Sequence, residues 1–402
     1  MTLFQSFLLR SACRDMFSDR HVLACMLRVE AALAQAQATH NVIPADAARL
    51  IVSHCDIARY DVAAILARLD DAGSAAIPLI EALKQSVHAH SHSASGFVHR
   101  GCTSQDIADT ALVLLTRDAL SLMTADLRRA VHAGLALARR HARDPALART
   151  LMQPASTTSF GFRCLGWTAP LVRAGQRLHD AADRALQLQL GGPVGTLAQM
   201  NGRGSAVATT MAHLLGLRNP DLAWHTQRDA WVSLGCELGV LAGSLGKIGR
   251  DLSLLGQFEL SEVFEPSAPG RGGSSAMPHK RNPVSCLVAI SAAARVPQLV
   301  ASLLVAMPQE NERALGLWQA EQAEWPMLVM TVHGSLAAIA DALEGLSVDV
   351  SRMRKNLQQL HDALPPEVAG QWFHTDLAND AAALMQHQVD RLQSQFDGVV
   401  PG

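Results

Sequence analysis

The stretch TSQDIADTALVLLTRDALSLMTADLRRAVHAGLALARRHAR, Thr103 to Arg143, decides the fold class. Leu115, Ala119, Leu122, Leu127, Ala130, Val131 and Leu135 recur mostly every three to five residues, tracing one apolar face on a single long helix that ends near Arg143. Thr103 followed three residues later by Asp106 fits a capping box, so the helix begins there with its first amides satisfied. A second long helix is expected from about Phe162 to Leu190, stopped by Gly191, Gly192 and Pro193, with Pro170 a candidate kink. A third is expected from about Asp221 to Phe258. In it Gly235, Gly239, Gly243 and Gly246 recur every three or four residues, each costing about 1 kcal/mol of helix propensity relative to Ala. Close approach of a neighbouring helix would offset that cost; the competing reading breaks the segment into shorter pieces.

Alternating apolar and polar runs bounded by turn residues are nearly absent, and no strand–helix–strand alternation occurs. The reading is all-α. Helices of thirty residues or more exceed the ordinary globular length of about 11 to 12 and imply an extended bundle assembled between chains. Changes in helix length and polarity divide the chain into residues 1–100, a long-helix region 101–345, and a short, more polar region 346–402.

Composition excludes several classes of protein. The 402 residues carry 34 Lys plus Arg against 36 Asp plus Glu, so no basic excess points to nucleic acid or an anionic membrane. Hydrophobic residues at 49% and charged residues at 17% suffice for a large core. Aromatics at 4% leave few platforms for stacking bases. Seven cysteines without a CxxC pair read as reduced thiols of a cytoplasmic protein. The first residues lack the pattern of a secretory signal. The best membrane candidate, Val284 to Met307, is interrupted by Arg295 and Pro297 and reads as a buried helix. His88, His90, His92 and His99 resemble a metal tract but lack an HExxH helix or acidic partners, so no metal is expected.

Four polar stretches could carry chemistry. SAPGRGGSSAMPHKRNP, Ser267 to Pro283, is a long loop that gathers Ser274, Ser275, Met277, Lys280, Arg281 and Asn282, a set able to hold an anion and move a proton. It lacks the spacing and preceding strand of a phosphate loop, and a solvated linker is the plain alternative. GCTSQDIADTA, Gly101 to Ala111, offers Thr103 and Ser104 at a helix entrance suited to a carboxylate. RTLMQPASTTSFG, Arg149 to Gly161, places Gln153 and Thr158 at what reads as a second polar helix entrance. WHTQRDAW, Trp224 to Trp231, places Gln227 and Arg228 before the glycine-striped helix.

GSSAMPHKRNP (Gly273 to Pro283) resembles the signature loop of the fumarase, aspartase and adenylosuccinate lyase superfamily, and TSQDIADTA its first characteristic region. EVFEPSAPGRGGSSAMPHKRNPV, QLGGPVGTLAQ, ERALGLWQAE and AEWPML further resemble its lactonising branch, which acts on 3-carboxy-cis,cis-muconate. The resemblance covers roughly residues 97–348; the tail beyond Val348 is shorter than usual for that branch and less similar. It implies three helical domains, a homotetramer whose long helices form one bundle, and active sites where three subunits meet. It also implies a small tricarboxylate substrate, no cofactor and no metal. By position, Ser274 would carry the proton, and Lys280 and Asn282 would stabilise the enolate-like intermediate. Thr103, Ser104, Gln153, Thr158, Gln227, Ser275, Met277 and Arg313 would hold the substrate. For Arg313 a structural ion pair stands as the alternative. A histidine that many relatives carry in the second region is absent, Leu151 and Pro154 standing there. A lyase that releases fumarate from an adenylosuccinate-type substrate, or a weakly active binding homologue, are the competing readings.

Overall fold

The computed structural model describes residues 3–267 and 270–399; Ala268 and Pro269 of the expected loop lie outside the described residues. Seven helices carry the architecture: α1 (Asp19–Thr39), α2 (Ser104–Arg140), α3 (Phe160–Ala185), α4 (Asp229–Leu255), α5 (Val284–Ala306), α6 (Leu317–Glu344) and α7 (Leu377–Asp397). Helices α2 to α6 form a bundle around one apolar core. Their directions alternate. Gly134 of α2 meets Thr168 of α3, Arg177 of α3 pairs with Glu237 of α4, and Gly246 of α4 meets Ala293 of α5. Helix α6 runs parallel to α2, because Trp325 bonds Thr116 and Asp341 pairs with Arg129.

The glycine stripe lies within one unbroken helix. A Cβ on Gly235 would sit 2.7 Å from Leu303, and one on Gly246 would sit 2.3 Å from the Ala293 methyl, so these glycines admit α5. Gly243 faces open space. Helix α4 begins at Asp229, later than expected, because residues 224–228 serve a buried polar network. Helix α3 keeps Pro170 inside it and stops at Ala185, short of the expected Leu190.

RTLMQPASTTSFG is not simply a helix entrance. It builds most of an antiparallel hairpin, β1 (Pro145–Thr150) and β2 (Gln153–Ser159), and only then does Ser159 cap α3 by accepting the Phe162 N–H at 2.9 Å. Leu151 and Met152 form its two-residue turn with φ of 50° and 67°. Two successive left-handed residues belong to a hairpin turn that Asn-Gly ordinarily fills, so the usual sequence cue is missing. Two further short strands, β3 (Val263–Phe264) and β4 (Ser347–Val348), pair beneath the signature loop.

A second core joins α1 and the short N-terminal helices to the first turns of α2, through Ile107, Ala111 and Leu115, and to residues between Leu188 and Leu215. The extreme N-terminal turn, Leu3–Leu8, lies over α5 and α6, with Leu8 buried against Val288 and Ala338. Helices α5 and α6 are both long and apolar enough to cross a membrane by length and composition alone. Most of α6 is core. Helix α5 buries one face and leaves Leu304 at 50% and Val305 at 70% exposure, so the helix expected to be buried is only partly covered within one chain. All seven cysteines are free thiols.

Candidate active site

At one end of the bundle, Thr103 and Asp106 form the expected capping box. Asp106 does more than cap. Its fully buried carboxylate accepts the Thr103, Gly191 and Gly192 N–H groups at 3.1, 3.0 and 2.8 Å, and lies 2.7 Å from His225 Nε2. Arg313 reaches across from the segment between α5 and α6. Its guanidinium donates to the Thr103 hydroxyl, to Gln105 Oε1 at 3.2 Å and to Ser104 Oγ at 3.5 Å. All three acceptors are neutral, and no carboxylate pairs with Arg313 among the described residues. The ion pair held open for it is not formed within one chain among the described residues. The guanidinium lies beside the N-terminus of α2, one residue's width from the buried Asp106 carboxylate that caps the same helix. Gln227 is exposed nearby, since the Thr226 hydroxyl donates to the Asn311 carbonyl at 2.9 Å.

One helical turn inward the positioning groups are charged and dry. Arg228 donates to Asp109 at 2.8 Å and makes a two-pronged pair with Glu321, and all three side chains have zero exposure. Burial alone would lower the pKa of Arg228, but the two carboxylates outweigh it and hold the guanidinium charged. Burial pushes Glu321 up against the opposing pull of Arg228. Trp318 donates to the other Asp109 oxygen at 2.8 Å, and Trp224 lies 4.4 Å under the Arg228 guanidinium. Below them Trp231 and Trp325 stack at 3.8 Å. Gln105, Asp106, Asp109, His225 and Glu321 were not singled out from sequence as site residues. Their only sequence signal is the spacing of polar side chains within otherwise apolar helices.

The hairpin and the signature loop occupy the other end. Thr158 is half-buried and lines an open cavity of about 810 Å³ with Arg149, Met152, Phe162, Arg163, Trp167 and Lys247. Gln153 is exposed beside the hairpin turn. Leu151, at 96% exposure, and Met152 form an apolar tip. In the signature loop, Gly273 bridges Arg281 and the Asn282 N–H donates to the Gly272 carbonyl at 2.7 Å, closing a hairpin-like turn. A Cβ on Gly272 would lie 2.5 Å from the Asn282 carbonyl, and its φ of 69° adds to the need for glycine. Ser274 Oγ accepts the Met277 N–H at 3.2 Å, so its proton points elsewhere. Ser275, Met277 and Lys280 are exposed, and the Lys280 ammonium makes no hydrogen bond or ion pair among the described residues. Asn282 faces a smaller cavity at the loop base, with Arg271 and Leu346.

Two groups of expected site residues are thus brought together and then kept apart. At 1.5 Å per residue the 37-residue α2 spans roughly 55 Å, and it separates Thr103, Ser104 and Arg313 from Thr158 and Ser274. One chain alone does not join them. Among the described residues no group of three His, Cys, Asp or Glu side chains is placed to hold a metal ion.

A long antiparallel helical bundle with this loop at its base defines a lyase-type protein, and residues 8–298 match the Lyase family model. The chain belongs to that family. Its relatives include the 3-carboxy-cis,cis-muconate cycloisomerase of Pseudomonas aeruginosa, 45% identical over 97% of this chain and 85% of the relative. A nitrosuccinate lyase of Streptomyces davaonensis is 40% identical over 85% of this chain and 73% of its own length. Among solved structures, the 3-carboxy-cis,cis-muconate lactonizing enzyme of Pseudomonas putida superposes with a TM-score of 0.85 at 42% identity, covering 99% of this chain and 90% of that one.

Proposed function

We propose that the chain is a cofactor-free cycloisomerase that converts 3-carboxy-cis,cis-muconate to 4-carboxymuconolactone in protocatechuate catabolism by the β-ketoadipate pathway. The observation that carries this reading is the 45% identity to a cycloisomerase over 97% of the chain. The site supports it chemically. A carboxylate oxygen adds to the diene and a carbon takes up one proton; nothing leaves. The attacking group is already an anion, and in reverse the departing carboxylate needs no protonation, so a single proton carrier suffices. An elimination that expels an amine needs a second, acidic group. The absence of a histidine from the hairpin, where Leu151 and Pro154 stand, fits the first chemistry better than the second.

In this reading Ser274 delivers the proton. Lys280 and Asn282 face the enolate-like charge that develops before protonation. Thr103, Ser104 and Arg313 hold one carboxylate, with Gln227 beside them; Gln153, Thr158, Ser275 and Met277 complete the enclosure. Because the two ends of the bundle are so far apart, the enzyme works as a homotetramer in the cytoplasm, with the Thr103 end of one copy against the loop of another. The half-covered α5 supplies apolar surface for that assembly, and seven free thiols suit a reducing compartment.

The test is the ultraviolet absorbance of 3-carboxy-cis,cis-muconate with the purified protein, with adenylosuccinate in parallel. Loss of the conjugated diene with lactone formation is expected. Fumarate released from adenylosuccinate, with the muconate unchanged, would overturn the assignment.

A further inference from the structure

The signature loop is tied to the bundle by charge at one point that none of the expected catalytic residues includes. Glu265, just before the loop, accepts the Ser285 and Cys286 N–H groups at 2.9 and 2.7 Å and so fixes the start of α5. Arg271, inside the loop and three residues before Ser274, donates to the Ser285 hydroxyl and lies 3.6 Å from Asp341 on α6. The same aspartate receives Arg10 at 2.6 Å and Arg129 at 2.9 Å. Arg129 is itself held by Asp126 and Glu344. Burial alone would raise the Asp126 carboxyl, but hydrogen bonds from His333 and Arg129 pull it below its usual range. Asp341 thus gathers three guanidinium groups, and Arg271 is the loop's ion pair to it.

We propose that Arg271, clamped between Asp341 and Ser285, is the positioning residue that sets where Ser274, Lys280 and Asn282 stand relative to the bundle. The loop closes on itself at Gly272 and Asn282, directly beyond Arg271, so movement of the anchor carries the whole turn with it. Arg271 acts through the loop and is given no contact with substrate. A guanidinium suits the place because its rigid planar fork reaches the hydroxyl and the carboxylate from separate nitrogens, whereas a lysine ammonium gathers its donors at one compact point. The kinetic part of this inference rests on the cycloisomerase reading; the structural part does not.

Arg10→Ala is the control, since it removes another cation from the same carboxylate without touching the loop. Arg271→Ala, Arg271→Lys and Arg10→Ala are compared with the parent by muconate kinetics, thermal unfolding and hydrogen exchange of residues 270–283. Arg271→Ala is expected to lower kcat by roughly 10- to 100-fold with KM changed less than about threefold, the scale of a small misplacement of reacting groups. Its loop amides should exchange faster, and Arg271→Lys should recover part of kcat. Arg10→Ala should lower the melting temperature while leaving kcat and loop exchange close to the parent. The proposal is overturned if loop exchange in Arg271→Ala equals that of the parent, or if both alanine variants lose kcat in proportion to stability. If the parent itself does not turn over the muconate, the functional reading fails, and the exchange comparison still decides the anchor.

Discussion

Ser274 and Lys280 occupy an exposed loop that contributes little to the core, so their replacement separates chemistry from stability. Ser274→Ala is expected to reduce kcat by about 10²- to 10⁴-fold, the usual worth of a positioned proton carrier, with an unchanged denaturation midpoint. Activity within a few-fold of the parent would remove Ser274 from the mechanism. The cysteines give a second prediction at this scale. Burial pushes Cys13 up to about 12 and Cys25 up to about 11, so both stay protonated in the fold at a pH where an unfolded thiol ionises. The folded pKa is the higher one. Their contribution to stability is therefore complete below about pH 8.5 and is lost as pH rises toward 11 and 12. Urea midpoints measured from pH 8 to 11 should fall steadily, and a flat profile would contradict the burial of these thiols.

Helix α4 shows both what pattern reading reaches and where it stops. Its glycines, each unfavourable alone, pointed to close packing, and Gly235 and Gly246 do meet α5. Gly246→Val should destabilise the protein by about 1–3 kcal/mol through overpacking, measured by chemical denaturation. The capping box at Thr103 was also legible, because it depends on two residues three apart. The hairpin at Leu151 and Met152 was not. Its turn residues carry no turn signal, and their left-handed backbone is imposed by the strands on either side. The Asp109, Arg228 and Glu321 network was equally hidden. Periodicity locates a buried face but does not say that a charge upon it will find two partners from other helices. Arg228→Met would strand two buried carboxylates and should cost about 3–5 kcal/mol, again by denaturation. A loss below 1 kcal/mol would mean that the carboxylates protonate or rearrange freely.

The whole molecule places the proposed recognition groups at opposite ends of its bundle. Arg313→Ala and Ser274→Ala therefore alter different ends, and under the proposed assembly each site draws one intact end from each of two copies. Mixed assemblies of the two inactive variants should regain activity, with roughly a quarter of the sites intact under random mixing of symmetric subunits. Coexpressed variants with no more activity than either parent would mean that the site lies within one chain. Gly243 belongs to this scale too. No atom of the described residues lies within 4 Å of a Cβ placed there, so Gly243→Leu should leave a single chain little disturbed and weaken assembly, visible by sedimentation, if another copy packs there.

The stacked Trp231 and Trp325 come from α4 and α6, directly beneath the Arg228 network. Two indoles held face to face couple their electronic transitions and produce a paired positive and negative band in circular dichroism. Trp224, 6.0 Å from Trp231, joins the same cluster, so the band reports on these packed indoles together. That band is a built-in optical gauge of whether those two helices are joined, readable during refolding without any label.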